Sequence, residues 1–152
     1  MIKTLDFDQN IVIILDQSRL PEQVEYIRCE KVEDVAEAIK TLKVRGAPLI
    51  GVTAAFGLAL AMDAYKGPEE SMGEYFSQVK SKLASTRPTA VNLFWALERM
   101  EQVFRHEYQQ GNRSEIGKRL KQEAMRMYEE DIAVNQAIGE KGEALLPDNS
   151  RI

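Results

Sequence analysis

Between Ala47 and Met62 the chain carries no charged residue, and this run constrains the fold more than any other segment. It is short for a membrane span and is interrupted by Gly51 and Gly57. A helix over residues 48–65 would be apolar almost all round, and such a helix is stable only when it is covered on every side. The run therefore predicts the buried centre of a helical bundle. Gly51, Ala54, Ala55, Ala59 and Ala61 are small, so neighbouring helices can approach it closely.

The elements around it follow from hydrophobic period. Residues 1–30 read as strands: Ile11 to Leu15 is a β-branched run bounded by Asn10 and Asp16, and Ser18-Arg19-Leu20-Pro21 supplies a turn. Residues 23–29 then alternate, with Val24, Tyr26 and Arg28 on one face, so a β-hairpin is the simplest account. From Val32 the period changes. Val32, Val35, Ala36, Ile39 and Leu42 mark the inner face of a helix whose Glu33, Asp34, Glu37 and Lys40 face water. Gly67-Pro68 ends the central apolar helix, and residues 69–84 predict a more exposed one with Met72, Phe76, Val79 and Leu83 inward. A helix over residues 88–108 points Leu93, Leu97, Met100 and Phe104 inward and stops near Gly111. Ser114 is expected to cap a long helix reaching Ile138, with Leu120, Ala124, Met127 and Ile138 as its stripe. The predicted fold class is α+β and mostly helical, a β-hairpin (1–30) packed on a helical bundle (31–144). Residues 145–152 read as a connection toward a following domain, so the chain is expected to be a piece cut at a domain boundary.

Charge and composition narrow the function. The 152 residues carry a formal net charge of -4, and no predicted helix has a basic stripe, which argues against a nucleic-acid surface. A single cysteine, Cys29, excludes an internal disulfide and fits a reducing compartment. The N-terminus lacks a signal-peptide core, and a cytoplasmic protein is expected, with no membrane partner.

Two segments carry candidate chemistry. In Val44-Arg45-Gly46-Ala47-Pro48 an arginine and a glycine precede a proline suited to open a helix. Helix N-termini present unpaired N–H groups and the positive end of the dipole, and the arginine adds a planar fork suited to phosphate. Thr86-Arg87-Pro88-Thr89 repeats the pattern. The two starts could converge on one anion if their helices pack side by side. Asn92, Trp95 and Arg99 share a helical face, which either lines a site or packs Trp95 in the core beside a solvated Arg99. His106 reads as a solvated residue at a helix end, Cys29 as a half-buried structural thiol, and Met125 to Met127 as core. Glu129-Glu130 reads as a solvated face, and Asp131 stays unassigned between anchoring a loop and anchoring a further domain.

These segments, together with Leu15-Asp16-Gln17, Leu20-Pro21, Val35-Ala36-Glu37-Ala38-Ile39, Ile50-Gly51-Val52, Thr89-Ala90-Val91-Asn92-Leu93 and the later Asp131, Asn135 and Ile138-Gly139, resemble the methylthioribose-1-phosphate isomerases. That group also includes ribose-1,5-bisphosphate isomerases and the regulatory subunits of the eukaryotic initiation-factor exchange complex. The resemblance implies an N-terminal domain whose larger α/β partner is absent, and a homodimeric parent. It implies conversion of 5-methylthioribose 1-phosphate to 5-methylthioribulose 1-phosphate without nucleotide, flavin or metal. It also implies that Arg45, Gly46, Ala47 and Arg87 contact substrate. The catalytic cysteine and aspartate of such enzymes have no counterpart here; Cys29 does not match, so this chain alone is expected to be inactive. The alternatives are a ribose-1,5-bisphosphate isomerase, which needs a second anion site, and a non-catalytic regulatory or binding subunit.

Overall fold

The computed structural model describes residues 3–8, 10–143 and 145–146. Three short strands come first: β1 (Leu5–Asp8), β2 (Ile11–Leu15) and β3 (Tyr26–Cys29). Five helices follow: α1 (Val32–Lys40), α2 (Ala47–Asp63), α3 (Met72–Ala84), α4 (Val91–Gln109) and α5 (Ile116–Glu143). The result is the expected mostly helical α+β architecture, with a small antiparallel sheet against a bundle. The sheet has three strands in the order β1-β2-β3 rather than two. The additional strand escaped the sequence reading because Asp6 and Asp8 break its apolar pattern. Its inward residues are Leu5, opposite Ile14, and Phe7, opposite Val12. In β3, Ile27 and Cys29 turn inward while Tyr26 and Arg28 stay exposed, the alternation the sequence suggested.

α2 is the axis of the molecule. Every residue from Ile50 to Met62 is buried, and α2 packs against all four other helices and the sheet. Close approach has a steric basis. A Cβ on Gly51 would lie 2.6 Å from the Asn92 carbonyl oxygen of α4, and one on Gly57 would lie 2.8 Å from Val35 of α1. Phe56 of α2 stacks on Phe7 at 5.0 Å and meets Tyr128 of α5 edge-on at 6.5 Å. The Tyr128 hydroxyl donates to the Leu5 carbonyl. One aromatic ladder thus fastens sheet, central helix and α5 together. Phe76 and Phe104 stack at 4.1 Å and do the same for α3 and α4.

Several boundaries differ from the sequence reading, each for a local reason. α1 ends at Lys40, and Leu42 takes a left-handed φ of 63° and is partly exposed, so it does not continue the inner stripe. Its N–H bonds the Ile39 carbonyl and that of Lys43 bonds Ala38, a helix-ending pair that normally employs glycine. Ala38 takes the buried position instead. α4 begins at Val91, not Pro88, because Arg87 to Ala90 forms a hydrogen-bonded turn first. At its other end Gly111, with φ 77°, terminates α4 as expected. Ser114 lies within a 3-10 turn (Arg113–Glu115) ahead of α5 rather than at the helix start expected for it. Ile138 is exposed, as are its neighbours from Ile132 onward, because α5 runs past the elements that cover its first half. Cys29 is fully buried, not half-buried, and burial pushes its thiol up to about 11. The connection proposed over residues 145–152 falls mostly outside the described residues.

Replacing Gly51 by alanine should force α4 away from α2 and cost about 1–3 kcal/mol. Gly139→Ala, where a Cβ meets nothing within 4 Å, should leave stability unchanged or raise it by up to about 1 kcal/mol. Urea unfolding followed by circular dichroism measures both. Cys29 should resist a thiol reagent in the native protein and react once unfolded; native-state labelling at the rate of a free thiol would contradict its burial.

Candidate functional site

The loop between α1 and α2 is held from the sheet side. Asp16 is buried and accepts from the Ser18 N–H at 2.9 Å and the Ser18 hydroxyl at 2.6 Å, which shapes the turn after β2. The next residue, Gln17, donates its backbone N–H to the Lys43 carbonyl and its side-chain amide to that of Arg45. Leu15-Asp16-Gln17 therefore positions the segment that delivers Arg45. Gly46 follows with φ 98°, and Ala47 is the first residue of α2 with Pro48 second. Only glycine takes that φ without strain.

A cleft of about 610 Å³ opens at this point. Arg45, Gly46 and Ala47 form one side; Arg87, Thr89 and Asn92 form the other. The first turns of α2 and α4 both open into it, so two sets of N–H groups without helical acceptors border one space. Among the described residues neither Arg45 nor Arg87 has a carboxylate within ion-pair distance. All four residues singled out from the sequence thus lie around one cleft, with two guanidinium groups free to meet an anion. The second proline does not open its helix, however: Ala90 donates to the Arg87 carbonyl at 3.0 Å, setting Arg87 one turn before α4. Leu42 and Thr89 also line the cleft. Period analysis missed Leu42 by assigning it to the core, and Thr89 was visible only as part of the Arg-Pro-Thr motif.

Residues 43–152 match the initiation factor 2 subunit family. The chain belongs to that family. Over 152 residues it is 55% identical to the methylthioribose-1-phosphate isomerase of Syntrophomonas wolfei, of which it covers 44%. Over 150 residues it is 49% identical to the protein of the same name from Thermotoga neapolitana, covering 42% of it. Its fold superposes on 5-methylthioribose 1-phosphate isomerase from Pyrococcus horikoshii with a TM-score of 0.91 and 38% identity, over 97% of this chain and 41% of that one. The translation initiation factor eIF-2B subunit delta from A. fulgidus gives 0.86 and 36%, over 98% and 43%. The chain therefore spans less than half the length of these relatives.

Beyond the cleft, α4 and α5 hold a second polar constellation around Trp95, for which the sequence left two readings open: a site wall, or a core residue beside a solvated Arg99. Trp95 is not core; half of it is exposed, with the Arg99 guanidinium 5.5 Å from its ring centroid. Arg99 is not merely solvated. It donates to Glu123 at 2.5 Å and forks onto both oxygens of Glu130 at 2.5 and 2.9 Å. Glu130 belongs to this pair rather than to an idle solvated face, and its hydrogen bond to Arg99 holds its carboxyl below the usual carboxylate range. Glu123 is buried and also accepts from Arg126. Asp131 accepts from the Asn135 amide one turn on and stays within α5. His106 is exposed, as read.

Gly46→Ala should cost about 1–2 kcal/mol from backbone strain alone, since the added Cβ would meet only Leu49 at 3.8 Å; denaturant unfolding measures it. Depressed carboxyls at Glu130 and Glu101, the latter hydrogen-bonded first by Lys80, contribute stability that is present above the ordinary glutamate range and lost as pH falls through the lowered values. The unfolding midpoint should therefore drop on acidification below about pH 5, and Glu101→Gln should flatten that dependence. An unchanged slope would remove the ion pair from the account.

Proposed function

We propose that this chain forms the substrate-gripping part of a sugar-phosphate isomerase. The reaction converts 5-methylthioribose 1-phosphate to 5-methylthioribulose 1-phosphate, a step of methionine salvage. The single observation carrying this reading is that Arg45 and Arg87, both without ion-pair partners among the described residues, line one cleft just before the starts of two helices. The names of the similar enzymes supply the substrate.

In this reading the two guanidinium groups hold the 1-phosphate, each charge-assisted contact contributing about 1.5–3 kcal/mol. The N–H groups around Gly46 and Ala47 approach the same anion because no side chain stands at Gly46. The 1-phosphate blocks simple ring opening of the sugar, so the reaction needs help in cleaving the ring and moving hydrogen from C2 to C1. No catalytic residue is assigned within this chain; the groups that move protons belong to the remainder of a longer parent. The parent acts as a cytoplasmic homodimer. A non-catalytic binding subunit is the second reading, supported by the likeness to the delta subunit.

The test is turnover of 5-methylthioribose 1-phosphate by the longer protein that contains this chain, with Arg87→Ala and Arg45→Ala beside it. Each variant should lose roughly tenfold to a few hundredfold in kcat/KM, as expected for loss of one charged contact. The isolated 152-residue chain should show no turnover. Absence of turnover and of substrate binding in the longer protein would favour the binding subunit.

A further inference from the structure

Among the described residues two carboxylates are removed from solvent, Asp16 and Glu123. Glu123 has two arginines as partners, Arg99 and Arg126. Asp16 is 4% exposed and has no cation within ion-pair distance among the described residues. Burying a carboxylate without a cation is costly, and what this one holds is a turn. Its Oδ1 accepts from both the N–H and the hydroxyl of Ser18, while the Asp16 N–H donates to the Glu25 carbonyl at 2.9 Å. Between these anchors stands Gln17. It gives its N–H to the Lys43 carbonyl at 3.0 Å and reaches the Arg45 carbonyl with its side-chain amide at 3.5 Å. We propose that Asp16 is a positioning residue for the anion cleft: by fixing Gln17 it sets where the Arg45 guanidinium stands. The inference rests on the isomerase reading above and adds to it a residue that acts without touching the substrate.

The geometry of the loop shows why such support matters. Leu42 and Gly46 both take left-handed φ values, 63° and 98°, so the chain turns sharply at either end of the segment 43–45. Behind Arg45, the N–H groups of Lys43 and Val44 both reach the Ala38 carbonyl, and Val44 is buried. Ahead of it, α2 takes hold at the Gly46 carbonyl, which accepts from the Ile50 N–H at 3.0 Å. Arg45 lies between these supports, and Gln17 supplies the contact at its own carbonyl. Asp16 does not line the cleft, so its influence passes through the loop. A bound group misplaced by about 1 Å can cost on the order of a hundredfold in rate. A carboxylate suits the task because one of its oxygens takes both hydrogen bonds from Ser18, and bonds to an ionised acceptor are roughly twice as strong as neutral ones. Asparagine would keep an acceptor oxygen in the same place and remove the charge, so it separates turn geometry from charge.

The test is steady-state turnover of 5-methylthioribose 1-phosphate by the longer protein that contains this chain. Asp16→Ala, Asp16→Asn and Arg45→Ala are compared with the double alanine variant. Asp16→Ala should lose roughly tenfold to a hundredfold in kcat/KM, chiefly through a higher KM because the phosphate contact already exists in the ground state. Asp16→Asn should recover most of that loss. In the Arg45→Ala background, Asp16→Ala should add less than about twofold, since two changes that act through one contact are not additive. Damage that is merely structural would multiply with the Arg45→Ala loss. If Asp16→Ala does not fold, Gln17→Ala and Ser18→Ala carry the same comparison from less buried positions; each should show a smaller loss that vanishes in the Arg45→Ala background. Multiplying losses, or an asparagine variant as impaired as the alanine one, would overturn the positioning role while leaving the anion cleft standing. An Arg45→Ala enzyme with unaltered kcat/KM would overturn the anion reading and this inference with it.

Discussion

The structure depends on the burial of one helix with no polar face. Because α2 presents apolar side chains in every direction, it is satisfied only at the centre, and every other element is placed by covering part of it. α4 reaches the Gly51 side and α1 the Gly57 side, where the missing side chains let backbones close to distances a Cβ would forbid. Phe7, Phe56 and Tyr128 then tie the sheet and α5 to the same axis. The packing term scales with this apolar area removed from water, so the amphipathic helices contribute chiefly through the stripe each turns toward α2.

The candidate site follows from that arrangement. A helix forced to the centre must still begin somewhere, and its first turn cannot be covered without stranding unpaired N–H groups. Gly46 brings the chain into α2 through a left-handed backbone, and the Asp16–Gln17 turn holds the incoming loop from the sheet side. The close contact at Gly51 brings the start of α4 beside the start of α2. Two positive helix ends and two arginines that are unpaired among the described residues are thus neighbours as a consequence of core packing. The clamp of Glu123 and Glu130 on Arg99 acts elsewhere, beside the Trp95 ring that the hydrophobic core does not use.

Much of this was legible in residues. Strict spacing located the inner faces of α3 and α4, and Arg45-Gly46-Ala47 with Arg87 was identifiable as anion chemistry from charge and helix-start logic. What was not legible has identifiable causes. β1 is four residues long and alternates with aspartate, so only pairing to Ile11–Leu15 makes it a strand. Leu42 fits a helical period by spacing, yet the chain has already turned out of the helix through a conformation usually reserved for glycine. By spacing alone Trp95 and Arg99 fit either a site wall or a core-and-surface pair, and only α5 separates the two by bringing Glu123 and Glu130 within reach. Ile138 continues a stripe that has nothing left to cover it.

By itself the sequence determined the composition of each face: an all-apolar centre, four amphipathic helices around it and two arginines placed before helix starts. Those properties are local, set by side-chain chemistry and by backbone preferences at glycine and proline. Only the tertiary structure decided that the two arginines share one cleft, that Arg99 is spent on carboxylates twenty-four and thirty-one residues away, and that the turn at Asp16 and Gln17 stands against the loop that carries Arg45. Such relations depend on distances between segments far apart in the chain, and those distances exist only once α2 has been buried and the other helices have settled around it.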